Sequence, residues 1–263
     1  FLNRTLDTAA STQISIYDAN DQLVQQWSTE KKDGANKLKM KKGMNMIKWD
    51  LRHQKPTLVK DLVMMDMSYP GVGPRVAPGS YRILLEQGDE MQTSCIVVKR
   101  DPRWDVTDSD LQANQDLALQ VRNLITQSQE ELLDLRSVNE QIASVLKHGE
   151  DVLTPELSQA LKDVKKENKD LQDMIYQDQI ETSQDEINFR RKFTNHIIRL
   201  YRVIISQNDR PTAGELERWE DVQNEYEPFA EGYLQFVNEK LPELIKQLQA
   251  EKMPLIITKP SKP

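Results

Sequence analysis

Apolar residues alternate with polar ones through roughly the first hundred positions and recur every third or fourth position after that, so the chain is expected to change from strand to helix part-way along. Ile14-Ser15-Ile16-Tyr17 alternates, Asp18-Ala19-Asn20-Asp21 supplies turn formers, and residues 22–27 resume as a strand, which predicts a hairpin. A second pair is expected from residues 37–40 and 43–51, with Leu38, Met40, Ile47, Trp49 and Leu51 lining one apolar face. Pro78-Gly79 turns into a strand over 80–86, Gly88-Asp89 turns again, and residues 91–99 close the sheet. Six or seven short strands at this spacing predict an antiparallel β-sandwich over residues 1–104. The intervening stretch 56–76, with Met64, Met65 and Met67, is expected to be an irregular loop packed on a neighbour, or else an exposed methionine-rich contact surface.

Helical spacing begins after Thr107-Asp-Ser-Asp110, which offers an N-cap and an acidic first turn. Leu117, Val121, Leu124, Ser128, Leu132, Leu135, Asn139, Ile142 and Leu146 form one stripe that ends at His148-Gly149. Thr154-Pro155 caps a second helix, in which Leu157, Leu161, Val164, Asn168, Leu171 and Ile175 follow alternating steps of four and three. Residues 177–185 are polar and predict a loop or a frayed end. A third stripe runs through Ile187, Phe189, Phe193, Ile197, Leu200 and Ile204. Thr212-Ala-Gly-Glu215 has capping-box spacing and opens a fourth stripe, Leu216, Trp219, Val222, Tyr226, Phe229, Tyr233, Phe236, Leu241, Leu244 and Leu248, which Pro228 and Pro242 should kink or divide. The expected whole is α+β in separate domains: the sandwich over 1–104, an antiparallel up-down four-helix bundle with long first and last helices over 105–252, and an extended tail over 253–263. The overhanging tips of the long helices would pair with each other or with a partner.

Charge sharpens this division. Residues 1–104 carry 16 Lys and Arg against 12 Asp and Glu, net +4, whereas residues 105–263 carry 19 against 30, net −11. An acidic helical half argues against nucleic acid as a partner, because phosphate binding needs a concentrated cationic face. The basic cluster Lys31, Lys32, Lys37, Lys39, Lys41 and Lys42 is expected to be a solvated strand edge, with a dock for an acidic partner as the alternative. Cys95 is the sole cysteine, which excludes an internal disulfide, and its place in Ser94-Cys-Ile-Val-Val98 predicts a small buried hydrophobe. No apolar run is long enough to insert into a membrane, and the start at Phe1 without a Met suggests a piece of a longer protein.

Candidate chemistry is sparse. His53, His148 and His196 have no second histidine or cysteine at metal-ligand spacing, Asp18, Asn20 and Asp21 lack the rest of a calcium loop, and the helices lack Glu-x-x-His pairs, so neither a metal nor a cofactor is expected. The carboxylate pairs Glu130-Glu131 and Glu225/Glu227 carry no pocket signature, and no phosphate loop or nucleophile motif is present. No catalytic residue is assigned.

Four segments carry a family resemblance: Ile14-Ser-Ile-Tyr-Asp18 with Leu23-Val24, Gly43-Met-Asn45 running to Trp49-Asp50-Leu-Arg52, Ala77-Pro78-Gly79-Ser-Tyr81, and Asp101-Pro102-Arg103. Together they resemble the immunoglobulin-like domain of the flagellar hook-capping type, as found after the β-propeller in large secreted bacterial proteins with sortilin-like or BNR repeats, often labelled glycosyl hydrolases. The resemblance implies a preceding propeller as intramolecular partner and a secreted, periplasmic or cell-surface location. With sandwich motifs joined to unbroken helical stripes and no reactive cluster, a non-catalytic structural or interaction role is expected; the alternative is an accessory domain lending a loop, with 69–74 the candidate, to a substrate site on a glycosyl hydrolase. By residue type the motif positions are structural: Gly43, Pro78 and Gly79 for turns, Trp49 and Tyr81 for core, and Arg52 to pair with Asp50 or a loop carbonyl.

Overall fold

A computed structural model describes residues 11–30, 35–60, 71–149, 152–182, 185 and 188–252. Met64, Met65, Met67, Tyr69, Ile187 and the tail 253–263 lie outside the described residues. Five strands and the helices follow in order: β1 (Thr12–Tyr17), β2 (Leu23–Ser28), β3 (Asn36–Lys37), β4 (Gly79–Gln87), β5 (Glu90–Val98), α1 (Asp108–His148), α2 (Pro155–Ile175), α3 (Phe193–Ser206), α4 (Ala213–Gln235) and α5 (Leu241–Ala250).

The sandwich is not what forms. The described strands make a single mixed sheet in the order β3-β2-β1-β4-β5, with β2 and β3 parallel and the remaining pairs antiparallel. Two expected hairpins exist, β1–β2 and β4–β5, but the expected pairing of 37–40 with 43–51 does not. The reason is local. The Asn45 side chain accepts from Lys41 N (2.8 Å) and donates to the carbonyls of Lys41 (2.8 Å) and Gly43 (3.0 Å), so a side-chain amide closes the turn that a strand ladder would have extended. Beyond it the chain keeps an alternating burial pattern at Ile47 and Trp49 without a ladder, and Leu51, at φ 59°, swings out to the surface.

One face of the sheet carries the core: Ile16, Val24, Val76 and Tyr81, with Trp27, Trp49, Ile83, Ile96 and Val98 against them. The opposite face is polar and open. There Gln13 donates to Glu86 (2.6 Å) and Gln26 to Ser15 (3.1 Å), while Arg82 lies over the Tyr17 ring. A sandwich needs apolar residues on the inner faces of two sheets. The alternation in these strands supplies one such face.

Nor do the helices stand apart as a four-helix bundle. The chain divides into two compact units, one of residues 1–56, 70–123 and 201–212, the other of 57–69, 124–200 and 213–263. The first unit therefore includes the opening turns of α1 and the end of α3. Asn114, Gln115, Leu117, Ala118 and Val121 are buried there, so the N-terminal stretch of the long helix is covered by its own chain. Gln115 accepts from Ala77 N at 2.6 Å, and Asn114 donates to Ile204 O at 3.4 Å.

In the second unit Thr154 caps α2 by accepting from Leu157 N, and Pro155 sits at the start of the helix, where a missing N–H costs nothing. Leu157, Leu161, Asn168, Leu171 and Ile175 are buried, and Val164 is half-buried. α4 is not divided at Pro228, but Pro242 is preceded by a π-helical turn (Phe236–Lys240), with Leu241 N donating to Phe236 O. The wider turn fits a helix in which the proline ring crowds the preceding turn and provides no donor. α2 packs on α4 and α5. Their approach depends on Gly232, where a Cβ would meet Leu171 Cδ2 at 2.7 Å. At the α1–α2 contact, buried Asn168 donates to Leu135 O (3.0 Å) and accepts from Gln172 (2.7 Å). Asn168→Ala is expected to cost about 2 kcal/mol, because it removes two buried hydrogen bonds and leaves the Gln172 amide without its acceptor. Urea unfolding followed by circular dichroism checks it.

Candidate functional site

Three of the motif residues, Trp49, Arg52 and Tyr81, meet in the first unit in a knot that ties two irregular segments, 49–54 and 71–77, to the sheet and α1. Trp49 Nε1 donates to Arg52 O (2.8 Å), and the Trp49 ring meets Tyr81 edge-on at 5.5 Å. Tyr81 OH in turn donates to Ala77 O (2.7 Å). Burial pushes the Tyr81 hydroxyl up to about 12. Of the partners open to Arg52, it takes a loop carbonyl: Nη1 donates to Gly73 O at 2.8 Å. Exposed Asp50 acts on Arg52 only as a nearby charge, opposing burial and the like charge of Arg75, which lower the guanidinium pKa. Backbone bonds complete the knot, with His53 N to Pro74 O (2.9 Å), Val76 N to Leu51 O (2.9 Å) and Gln54 N to Val24 O (2.9 Å).

Two members of this knot carry no signal in the sequence. Gly73 packs so closely that a Cβ there would lie 1.9 Å from His53 O, and Tyr201, from α3, donates to Val72 O at 3.0 Å. Pro78 and Gly79 lead into β4, where Gly79 pairs with Val98. Asp101, Pro102 and Arg103 are not part of the knot. They form a surface turn in which Asp101 accepts from Arg103 N (3.0 Å), Nε and Nη2, and the Arg103 side chain holds the Asp101 carboxyl down at about 2. Of the candidate loop 69–74, the described part, 71–74, is held by Arg52, His53 and Tyr201.

His53 is buried, 5 % exposed, and its Nε2 has no hydrogen-bond partner among the described residues. Burial is the largest cause depressing its pKa to about 4, with the nearby Arg122 adding to it; a hydrogen bond with Gln115 and the charge of Asp18 oppose the shift.

The second unit holds the closest approach to a reactive constellation. Tyr226 OH donates to Glu131 Oε2, and Gln127 Nε2 donates to Glu131 Oε1 at 3.0 Å. Tyr233 OH reaches Asp134 at 3.5 Å, one helical turn along α1. Phe193, Tyr226, Phe229 and Tyr233 form a ladder of rings 5.2, 5.7 and 6.1 Å apart. Burial raises the Glu131 pKa against the two hydrogen bonds that lower it, and raises Tyr226 and Tyr233 as well. Nearby, His196 Nδ1 lies 2.9 Å from both oxygens of Glu225. Residue types alone left Glu131 and Glu225 as ordinary helix-face acids. Partners 95 and 29 positions away are invisible to a local pattern.

A perturbed carboxyl in an aromatic setting is a common signature of acid-base catalysis. Here, however, each Glu131 oxygen already accepts from a side chain of its own chain, and both oxygens of Glu225 face one imidazole. A general acid must reach the atom it protonates. Tyr226→Phe, by removing a donor to the ionised form, is expected to raise the Glu131 pKa further and to cost about 1.5 kcal/mol of stability. Carboxyl-resolved NMR titration together with urea unfolding reads both effects.

Cys95 differs from expectation. It is exposed, because β5 is an edge strand and Cys95, opposite Arg82, points to the open face. Among the described residues, no group of His, Cys, Asp and Glu could hold a metal ion, and no helix is long and apolar enough to cross a membrane. No protein-family model, curated protein or solved structure matches this chain. The likeness to propeller-associated regions therefore rests on the four sequence segments alone.

Proposed function

We propose that this chain is a non-catalytic structural and interaction region, placed after a β-propeller in a secreted or cell-surface bacterial protein. The sheet unit braces its neighbour, and the helical unit sets reach or recruits a partner. The observation that supports this reading is the employment of the polar side chains. Arg52, Trp49 and Tyr81 hold loop carbonyls, and Glu131 and Glu225 have their oxygens engaged by Tyr226, Gln127 and His196. Groups held in this way stiffen a scaffold and leave little reactive capacity for a substrate. The propeller and the bacterial surface come from the sequence resemblance.

Incubating the chain with a broad panel of glycosides and peptides tests the reading. No turnover above a blank is expected. Hydrolysis that disappears in Glu131→Gln would overturn it and make the acid–tyrosine cluster a catalytic site.

A further inference from the structure

The two edges of the sheet are built differently. β3 is two residues long, and Lys37, Lys39, Lys41 and Lys42 around it are all exposed. Lysines and brevity are the usual protection of an edge against pairing with another chain. β5 has neither. It is nine residues long, contains no lysine or proline, and is uncharged from Met91 to Val98. Residues 90–95 are exposed, as are Met91 at 70 % and Val97 at 65 %. No described strand lies beyond it.

The geometry points to β5 as a homodimerisation edge that pairs antiparallel with β5 of a second copy of this chain, joining two five-stranded sheets into one. The charge pattern selects this occupant. Asp89 and Glu90 stand at one end of the neutral run, with Lys99 and Arg100 at the other. Antiparallel pairing about a two-fold axis at Ser94 sets Asp89 against Lys99 at both ends, whereas parallel pairing would align like charges.

The same register satisfies the backbone and the side chains. The two-residue turn Gly88-Asp89 closes on the pair Gln87–Glu90, which makes that pair hydrogen-bonded. Even-numbered residues of β5 then direct their N–H and C=O toward β4, and Met91, Thr93, Cys95 and Val97 direct theirs outward. Across the axis Met91 faces Val97, Thr93 faces Cys95, and Ser94 faces its own copy. The two exposed apolar side chains of the strand thus cover each other on the open face, and every outward backbone group gains a partner. An edge of this length and composition left bare is an aggregation hazard. Self-pairing that closes on a two-fold axis removes it.

This inference takes from the proposed function only that the chain is an interaction region, and the two fail separately. Hydrolysis by the chain would sink the earlier reading and leave the edge pairing standing. Light scattering across a hundredfold concentration range is expected to give twice the 30.5 kDa chain mass. Thr93→Lys, which sets like charges beside the axis, should raise the dissociation constant at least about tenfold with the circular dichroism spectrum unchanged. Ser94→Cys in a Cys95→Ser background should oxidise to a reducible dimer, because residues facing each other in a non-hydrogen-bonded pair lie about 4.5 Å apart at Cα. Cys95→Ser alone should not. A monomer at every concentration overturns the proposal. So does a dimer that Thr93→Lys leaves intact and Ser94→Cys fails to capture, since its interface would lie elsewhere, the long helices being the first place to look.

Discussion

Gly73→Ala is expected to destabilise the sheet unit by at least about 3 kcal/mol, a large fraction of the roughly 5–15 kcal/mol by which an ordinary domain is stable. The new Cβ would lie 1.9 Å from His53 O, 2.6 Å from His53 C and 2.8 Å from Gln54 O, and all three are backbone atoms with no rotamer to yield. The segments 49–54 and 71–77 would have to part. That movement strains Arg52 Nη1 to Gly73 O, His53 N to Pro74 O and Val76 N to Leu51 O together, each worth about 1 kcal/mol. Gly71→Ala is the control, because no atom of the described residues lies within 4 Å of its Cβ position and the change should be within about 0.5 kcal/mol of neutral. Urea unfolding of both variants decides the matter. Equal midpoints would mean that the knot is looser than its contacts imply.

Acidification should weaken the same unit through His53. Burial holds the folded-state pKa at about 4, below the ordinary 6.5, so folding favours the neutral imidazole. A histidine shifted in this direction contributes its full stability above pH 6.5. As pH falls from 6.5 the unfolded chain takes up a proton that the folded chain refuses, and stability declines until about pH 4, where the folded form also binds it. The gap between the two values corresponds to about 3 kcal/mol. His53→Gln, which cannot ionise, should flatten that part of the profile even if its own stability is lower. Unfolding midpoints measured from pH 7.5 to 4 give the comparison, and parallel curves for the two proteins would remove His53 as the cause.

The elements that local chemistry dictates were legible, and those that depend on distant partners were not. Thr107 and Asp110 cap each other at the head of α1, Thr154-Pro155 opens α2, and most of the stripe residues within α1–α5 are buried or half-buried, although Leu216 is exposed and Phe189 precedes α3. Capping and a 3.6-residue period act within a few positions, so a sequence displays them. Alternation also located β1, β2, β4 and β5, but it could not distinguish one sheet with a polar open face from two sheets face to face. The stretch 43–51 alternates in burial as a strand would, yet Asn45 satisfies the turn with its side chain and no ladder follows. Cys95 lies in a strand as expected, but its exposure is set by β5 being the last strand, which is a fact of topology. Gly73 carries no mark of its role in the sequence, because the carbonyl that forbids a Cβ belongs to a residue twenty positions away. Glu131 and Glu225 likewise acquire meaning only from Tyr226 and His196 on other helices.

Native-state hydrogen exchange shows, without altering a residue, whether Trp49, Arg52 and Tyr81 fasten irregular backbone instead of lining a site. His53, Gln54, Val76 and Ala77 lie outside the five strands, yet their amides donate to Pro74 O, Val24 O, Leu51 O and Gln115 Oε1. These four amides are expected to exchange as slowly as those in the centre of β1 and β4, opening only when the whole unit unfolds. Exchange at the rate of exposed loops, with β1 and β4 still protected, would contradict the account and free Arg52, His53 and Tyr81 for another role.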